Sequence, residues 1–172
     1  IAKGFINIPV DPDGFIRSSC LETPPLESLA LAAVRKFLGP EAQNRTFKDG
    51  RINFAGPHRT IRTISYYQAL SPDSHLPAGL LEDKLVFAGF NTQNITRIQQ
   101  HLPDYFPTPF TRWGDGYMSG VEIHGNLAAN LISKNVIQVF PVFWTLLISF
   151  VMCCFTGILF YRRKLLWGGV VV

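Results

Sequence analysis

The sequence predicts an α/β fold, a layered sheet with flanking helices, followed by a C-terminal transmembrane helix. Short β-rich runs alternate with segments of helical period, which favours a layered α/β domain. Apolar residues crowd into one block near the C-terminus, and no charged residue lies between Lys134 and Arg162. A chain of 172 residues holds one domain with a proper core, and is too short for two domains plus a membrane region.

Residues 5–10 (FINIPV) are a β-rich run that meets the turn sequence Asp11-Pro12-Asp13-Gly14, and residues 15–17 resume the extended pattern, so a hairpin is predicted. Asp13 and Gly14 serve that turn, and Arg17 reaches a nearby carboxylate or carbonyl. Residues 26–38 (LESLALAAVRKFL) space their apolar side chains as a helix does and end at Gly39-Pro40, a stop signal, while Pro24 and Pro25 suit a first turn.

Residues 51–55 (RINFA), with Asn53 at the centre, read as a strand closed by Gly56-Pro57. A second short strand is expected over 61–66 and a helical turn from 67 to 70. Residues 85–90 (LVFAGF) form a continuous apolar run with Gly89 near its end, the pattern of a strand buried on both faces. Residues 91–109 show no clear period and carry Pro103, Pro107 and Pro109, which predicts a long ordered loop. Helical spacing returns over 120–135 through Val121, Ile123, Leu127, Leu131 and Ile132, with Gly125 marking a close packing contact.

Residues 140–161 (FPVFWTLLISFVMCCFTGILFY) are long enough to span a bilayer, since roughly 20 helical residues cross its hydrocarbon core. Trp144 and Tyr161 stand where interfacial aromatics belong, and Pro141 lies near the start, where a helix tolerates it. Arg162, Arg163 and Lys164 fix the orientation, because positive flanks stay cytoplasmic; residues 1–139 are then outside. A basic turn is expected over 162–164, with 165–172 starting a second spanning helix. A core helix of a soluble protein would be shorter and carry a polar face.

Charge agrees with this topology. All 12 acidic residues and all but three of the 16 basic ones precede residue 135, so that part is nearly neutral and the excess positive charge lies in the membrane flank, which points away from nucleic acid. Of Cys20, Cys153 and Cys154, two lie in the apolar block, so no internal disulfide can staple the rest. The chain opens at Ile1 without a signal-like stretch and closes in an apolar run, as expected of a piece of a longer protein.

The candidate ligand contacts fall in two places. Asp104, Tyr105, Phe106 and Arg112 belong to the aromatic and proline-rich segment 103–112, on the longest loop and near the end of the strand 85–90, where open α/β sheets bind ligands. Its aromatics could equally tuck the loop onto the core. Glu122 and His124 are the second place, with Asp104, His58 and Asp13 able to complete a site. On a helix, residues i and i+2 point roughly 200° apart and could not share one metal; on a strand they would share a face. The helical spacing favours the first arrangement, in which these groups cap the helix and hydrogen-bond the preceding loop. No metal site and no catalytic residue is assigned.

Gly89 follows a strand, as in phosphate-binding turns, but no G-x-G-x-x-G or G-K-[ST] accompanies it, so no cofactor is expected. Ser119 in G-Y-M-S-G is displaced from the nucleophile-elbow pattern, and Ser65 and Ser71 show none. Asn44-Arg45-Thr46 and Asn94-Ile95-Thr96 match the glycosylation sequon, which matters only in a eukaryotic secretory route.

Several phrases occur in a telling order: D-P-D-G-F-I-R at 11–17, S-L-A-L-A-A at 28–33, I-N-F-A-G-P at 52–57, K-L-V-F-A-G at 84–89 and G-V-E-I-H-G-N at 120–126. Together, and followed by membrane helices, they resemble the second type of CHASE domain, the cyclase- and histidine-kinase-associated sensory extracellular module. The resemblance covers about residues 5–134, the C-terminal part of such a domain. It implies a receptor of the bacterial inner membrane, with residues 1–139 periplasmic, further membrane helices, and a cytoplasmic cyclase or kinase output. It carries no established ligand.

The expected function is extracytoplasmic sensing of a small-molecule or periplasmic ligand, with the lipid bilayer and a second copy in a homodimer as partners, no nucleic acid and no catalysis by this segment. Two rivals stand beside it: a membrane-tethered hydrolase using His124 with Asp104 or Glu122, and an assembly domain that dimerises without sensing.

Overall fold

Ser28 decides where the first helix begins. Its backbone is extended, with φ −68° and ψ 153°, and its hydroxyl accepts the Leu31 N–H at 3.2 Å, satisfying one of the orphan donors of helix α1 (Leu29–Leu38). Gly39, at φ 62°, ends the helix, with Arg35 and Lys36 in the last turn. The helix therefore starts three residues later than its apolar spacing predicts. Leu26–Glu27 is instead a strand, β2, paired antiparallel with β1 (Glu22–Thr23). The Arg35 guanidinium fastens this pair to α1, binding Glu22 at 2.9 Å and Glu27 as well.

In this computed structural model the described residues are 3–19, 21–23, 26–42, 50–91, 104–114 and 116–168, with side chains as far as Arg163. Most of the expected loop 91–109, both sequons, Pro24, Pro25, Cys20 and residues 169–172 of the expected second span lie outside them.

The chain divides into two units, Ile1–Gln138 and Val139–Val172. In the first, β3 is Gly50–Arg51, α2 Tyr66–Leu70, α3 Pro72–His75, β4 Tyr105–Phe106, β5 Met118–Ser119, α4 Gly120–Ser133 and β6 Ile137–Gln138. Helices α1 and α4 pack on each other, and the core gathers where they meet: Leu31 and Val34 from α1, Ile123, Leu127 and Leu131 from α4, closed by Ile16, Ile52 and Met118, all buried. A 3₁₀ turn, Gly39–Ala42, adds the buried Ala42.

Among the described residues the strands form three two-stranded pieces, β1–β2, β3–β6 and β4–β5, each antiparallel, and not one layered sheet. The reasons are local. Residues 11–14 do turn, with the Gly14 N–H bonded to the Asp11 carbonyl at 2.8 Å and the Asp11 N–H to the Phe15 carbonyl at 2.9 Å, but the arms pair no further as strands. Phe5 bridges Ser28 and Ser18 bridges Arg51, so the two arms go to different neighbours. Residues 61–65 are irregular, and Tyr66 opens α2 with the Gln68 side chain holding the Ser65 N–H at 3.0 Å.

The largest departure concerns residues 85–90. They belong to no strand and are not buried on both faces: Leu85 and Phe87 pack on the core while Val86 and Phe90 are more than half exposed. Inward and outward side chains alternate, as on a one-sided strand.

The second unit contains α5 (Val142–Gly168), 27 residues or about 40 Å at the helical rise. Its stretch Val142–Arg163 is long and apolar enough to cross a membrane, and none of it is buried in protein. Polar side chains within it turn to their own backbone: the Thr156 hydroxyl donates to the Cys153 carbonyl at 2.8 Å. Where the sequence predicted a basic turn at 162–164, the helix continues through Arg162, Arg163 and Lys164. No proline or glycine stands there to stop it, and all three are good helix formers.

Candidate functional site

Helix α4 carries a polar stripe. Glu122, Asn126 and Asn130 are four residues apart, so they share one face, and all three are buried. Each takes up backbone from the segment that follows β3. The Asn130 amide receives the Asn53 N–H at 2.8 Å and returns a bond of 2.8 Å to the Asn53 carbonyl. Asn126 accepts the Ala55 N–H at 2.9 Å and donates to the Glu122 carbonyl at 3.0 Å.

At the head of the stripe, the Glu122 carboxylate faces the backbone N–H groups of Arg59, Ile61 and Thr60, which favour its charged form. That is possible because the chain turns tightly there: Arg59 has φ 69°, and Thr60 bonds back to the Pro57 carbonyl through its N–H at 3.2 Å and its hydroxyl at 2.7 Å. Successive N–H groups in such a turn make an anion cradle. Burial still pushes the Glu122 carboxyl up, with those N–H groups and nearby His58 opposing. Among the described residues, its Oε1 and the His58 Nδ1 are buried without a hydrogen-bond partner.

His124 leaves α4 in another direction. One ring nitrogen, Nε2, lies 3.2 Å from the Ile6 carbonyl, tying the N-terminal segment to the helix, and burial pushes the imidazole down. Asp104 is the carboxylate that faces it. Asp104 sits at φ 70°, and its carbonyl accepts the Gly120 N–H at 2.9 Å, which starts α4. Its carboxyl lies so close to Gly120 that a β-carbon there would fall 2.3 Å from Oδ1. Burial raises this carboxyl too.

A third cluster joins two distant loops. Arg17 binds Asp11 at 2.8 Å and Asp13 at 2.7 Å, and Arg112 reaches the same Asp13 oxygen at 3.3 Å. Both guanidiniums stand over the Phe15 ring, at 5.0 and 4.9 Å from its centre. Arg17, through its hydrogen bond, holds Asp13 well below the usual carboxylate range, at about 2, and is itself raised. Gly14 supplies the turn at φ 83°.

The expected ligand contacts are thus distributed. Arg112 joins the Asp13–Arg17 network; Tyr105 is buried, with its hydroxyl 3.3 Å from Asn91 and its ring edge-on to Phe90; Phe106 packs on the core. The predicted proximity of the loop to the end of 85–90 is seen in that Tyr105–Phe90 contact. Glu122 and His124 point to different neighbours, as the helical spacing requires. Gly89 lets 85–90 approach α4, since a β-carbon would fall 2.7 Å from the Val121 Cβ. A concavity of about 430 Å³ lies elsewhere, along α3 and the turn after it, lined by Pro72, Leu76 and Glu82 among others. No group of three His, Cys, Asp or Glu among the described residues is placed to hold a metal.

Asn126 and Asn130 were not singled out from the sequence, although the signal was present: polar residues at i, i+4 and i+8 on a face that should be apolar.

The sequence and the helix that ends it match a family model. The model of the CHASE2 domain aligns with residues 2–159, nearly the whole chain, from the N-terminal segment into α5. The chain belongs to the CHASE2 domain family. Searches of curated proteins and of solved structures gave no match. CHASE2 is an extracellular sensory domain family of membrane receptors. The glutamate, histidine and asparagine of residues 122–126, which place this CHASE2 domain's backbone contacts, all fall within the match.

Proposed function

We propose that this CHASE2 domain detects a small molecule or a chemical state outside the inner membrane of a bacterium and passes the change through α5 to a cytoplasmic cyclase or kinase. The observation that carries this reading is the family match, which runs without a break from the folded unit into a helix able to span a bilayer. The basic residues Arg162 and Arg163 at the far end of that span support an outward-facing folded unit. Sensing requires a stimulus with different affinity for two conformations, because equal affinity shifts nothing.

In sequence, residues 139–141 alone separate β6 from α5, so a mechanical relay is short. Inserting a flexible Gly-Ser linker at those residues in the intact receptor tests it: loss of stimulus-dependent output is expected, and unchanged output would overturn the relay. Binding is tested on the membrane-embedded chain by thermal shift against periplasmic metabolites, where a ligand of the folded state raises Tm. Pairing into a homodimer, and action without catalysis by this segment, complete the reading.

A further inference from the structure

His124 is buried on α4 with its two ring nitrogens in unlike settings. Nε2 is engaged by the Ile6 carbonyl at 3.2 Å, whereas Nδ1 is buried and, among the described residues, has no hydrogen-bond partner. A neutral imidazole fits this arrangement by donating from Nε2 to Ile6 and keeping Nδ1 bare. An added proton would fit badly, for it would place a charged donor on Nδ1 with no acceptor.

Among the described residues, two segments supply groups that act on the ring. The N-terminal segment offers the Ile6 carbonyl and the loop before β4 offers the Asp104 carboxylate, which acts on His124 through its charge without a hydrogen bond to it. On α4 itself Glu122 is committed to the turn at 59–61. Asp104 is in turn pressed against Gly120, and its carbonyl accepts the first N–H of α4. The residue that could neutralise a protonated His124 is therefore the one that holds the start of the helix.

We propose that His124 and Asp104 form an acid-operated switch: a proton taken up at His124 Nδ1 draws the Asp104 carboxylate from Gly120 to the imidazolium, and the Asp104–Gly120 junction at the head of α4 loosens. The switch goes beyond the sensory reading and does not require it, since it stands on this cluster alone. The depressed imidazole agrees with it. A histidine lowered in the folded state contributes stability that is present above its ordinary 6.5 and is lost as pH falls from there through the folded value.

The test is amide hydrogen exchange at Gly120 and Val121 in the full chain held in lipid nanodiscs, between pH 7.5 and 5, corrected for intrinsic exchange. Exchange at these amides is expected to rise severalfold as pH falls, and to become flat in Asp104→Asn and in His124→Gln. A flat profile in the parent chain, or the same rise in Asp104→Asn, overturns the switch. Should His124→Gln fail to fold, the Asp104→Asn comparison still decides. Failure here leaves ligand binding by thermal shift untouched, so the two readings fail separately.

Discussion

Asn130 and Asn53 exchange two hydrogen bonds across 77 positions of sequence, side-chain amide against backbone peptide, each 2.8 Å long. The amide of Asn130 has the same donor and acceptor as a peptide group, so α4 presents to residue 53 what a neighbouring strand would present. Truncating Asn130 to alanine leaves a donor and an acceptor of Asn53 unmet. A loss of about 1–3 kcal/mol is expected, measurable as a shift of the thermal unfolding midpoint. Asn126→Ala acts on the Ala55 N–H in the same segment, so the double variant should cost less than the two singles together. Strict additivity would show that the stripe does not hold residues 53–55 as a unit.

Glu122 predicts a pH effect of definite sign. Burial raises its carboxyl above the ordinary 4.5, so the protonated form is favoured in the folded chain. It contributes stability that is fully present below that value and is lost as pH rises through the folded one. Glu122→Gln keeps an acceptor for the N–H groups of residues 59–61 and cannot ionise. The difference in unfolding midpoint between parent and variant should therefore move in favour of the variant from pH 4.5 to 7. A difference constant with pH would mean that Glu122 is not a buried carboxylate.

The polar stripe shows what the sequence could and could not reveal. Period alone placed α4 and α1, because long apolar stripes at helical spacing leave few alternatives, and the block at 140–161 announced its own length. The described residues form no layered sheet, for a definite reason. An apolar run such as LVFAGF records that residues like to be buried, not which groups will bond the backbone beside them. Here residues 53 and 55 are bonded by asparagine side chains, and Val86 and Phe90 face outward. The sites follow the same logic: the 100° step of a helix sufficed to separate Glu122 from His124, but only the fold could show that Arg112 meets Asp13.

Gly120 tests the junction with Asp104. Gly120→Ala would put a β-carbon 2.3 Å from the Asp104 Oδ1, and the carboxyl must move. Destabilisation of about 1–3 kcal/mol is expected from such overpacking, and much of it should be relieved in Gly120→Ala combined with Asp104→Ala. An alanine at position 120 that unfolds at the parent temperature would contradict the close approach.

Arg17 and Arg112 share Asp13 and Phe15 but not their burial. The Arg112 side chain is 59% exposed and that of Arg17 18%, so water screens the first far more. Arg112→Ala should shift the unfolding midpoint little, as exposed ion pairs do, and Arg17→Ala by more, because it removes the cation that Asp11 and Asp13 share. Chemical denaturation of both variants orders them; the reverse order would contradict the network.

The placement of the folded unit outside the membrane is measured most directly by thiol labelling. A chain whose cysteines at 20, 153 and 154 are replaced by serine, and which carries Asp73→Cys on the exposed α3, is expressed with its span intact. An impermeant maleimide should label it in intact cells, with outer-membrane permeabilisation where needed. Labelling that appears only after the inner membrane is lysed would place the unit in the cytoplasm and contradict an extracytoplasmic sensor.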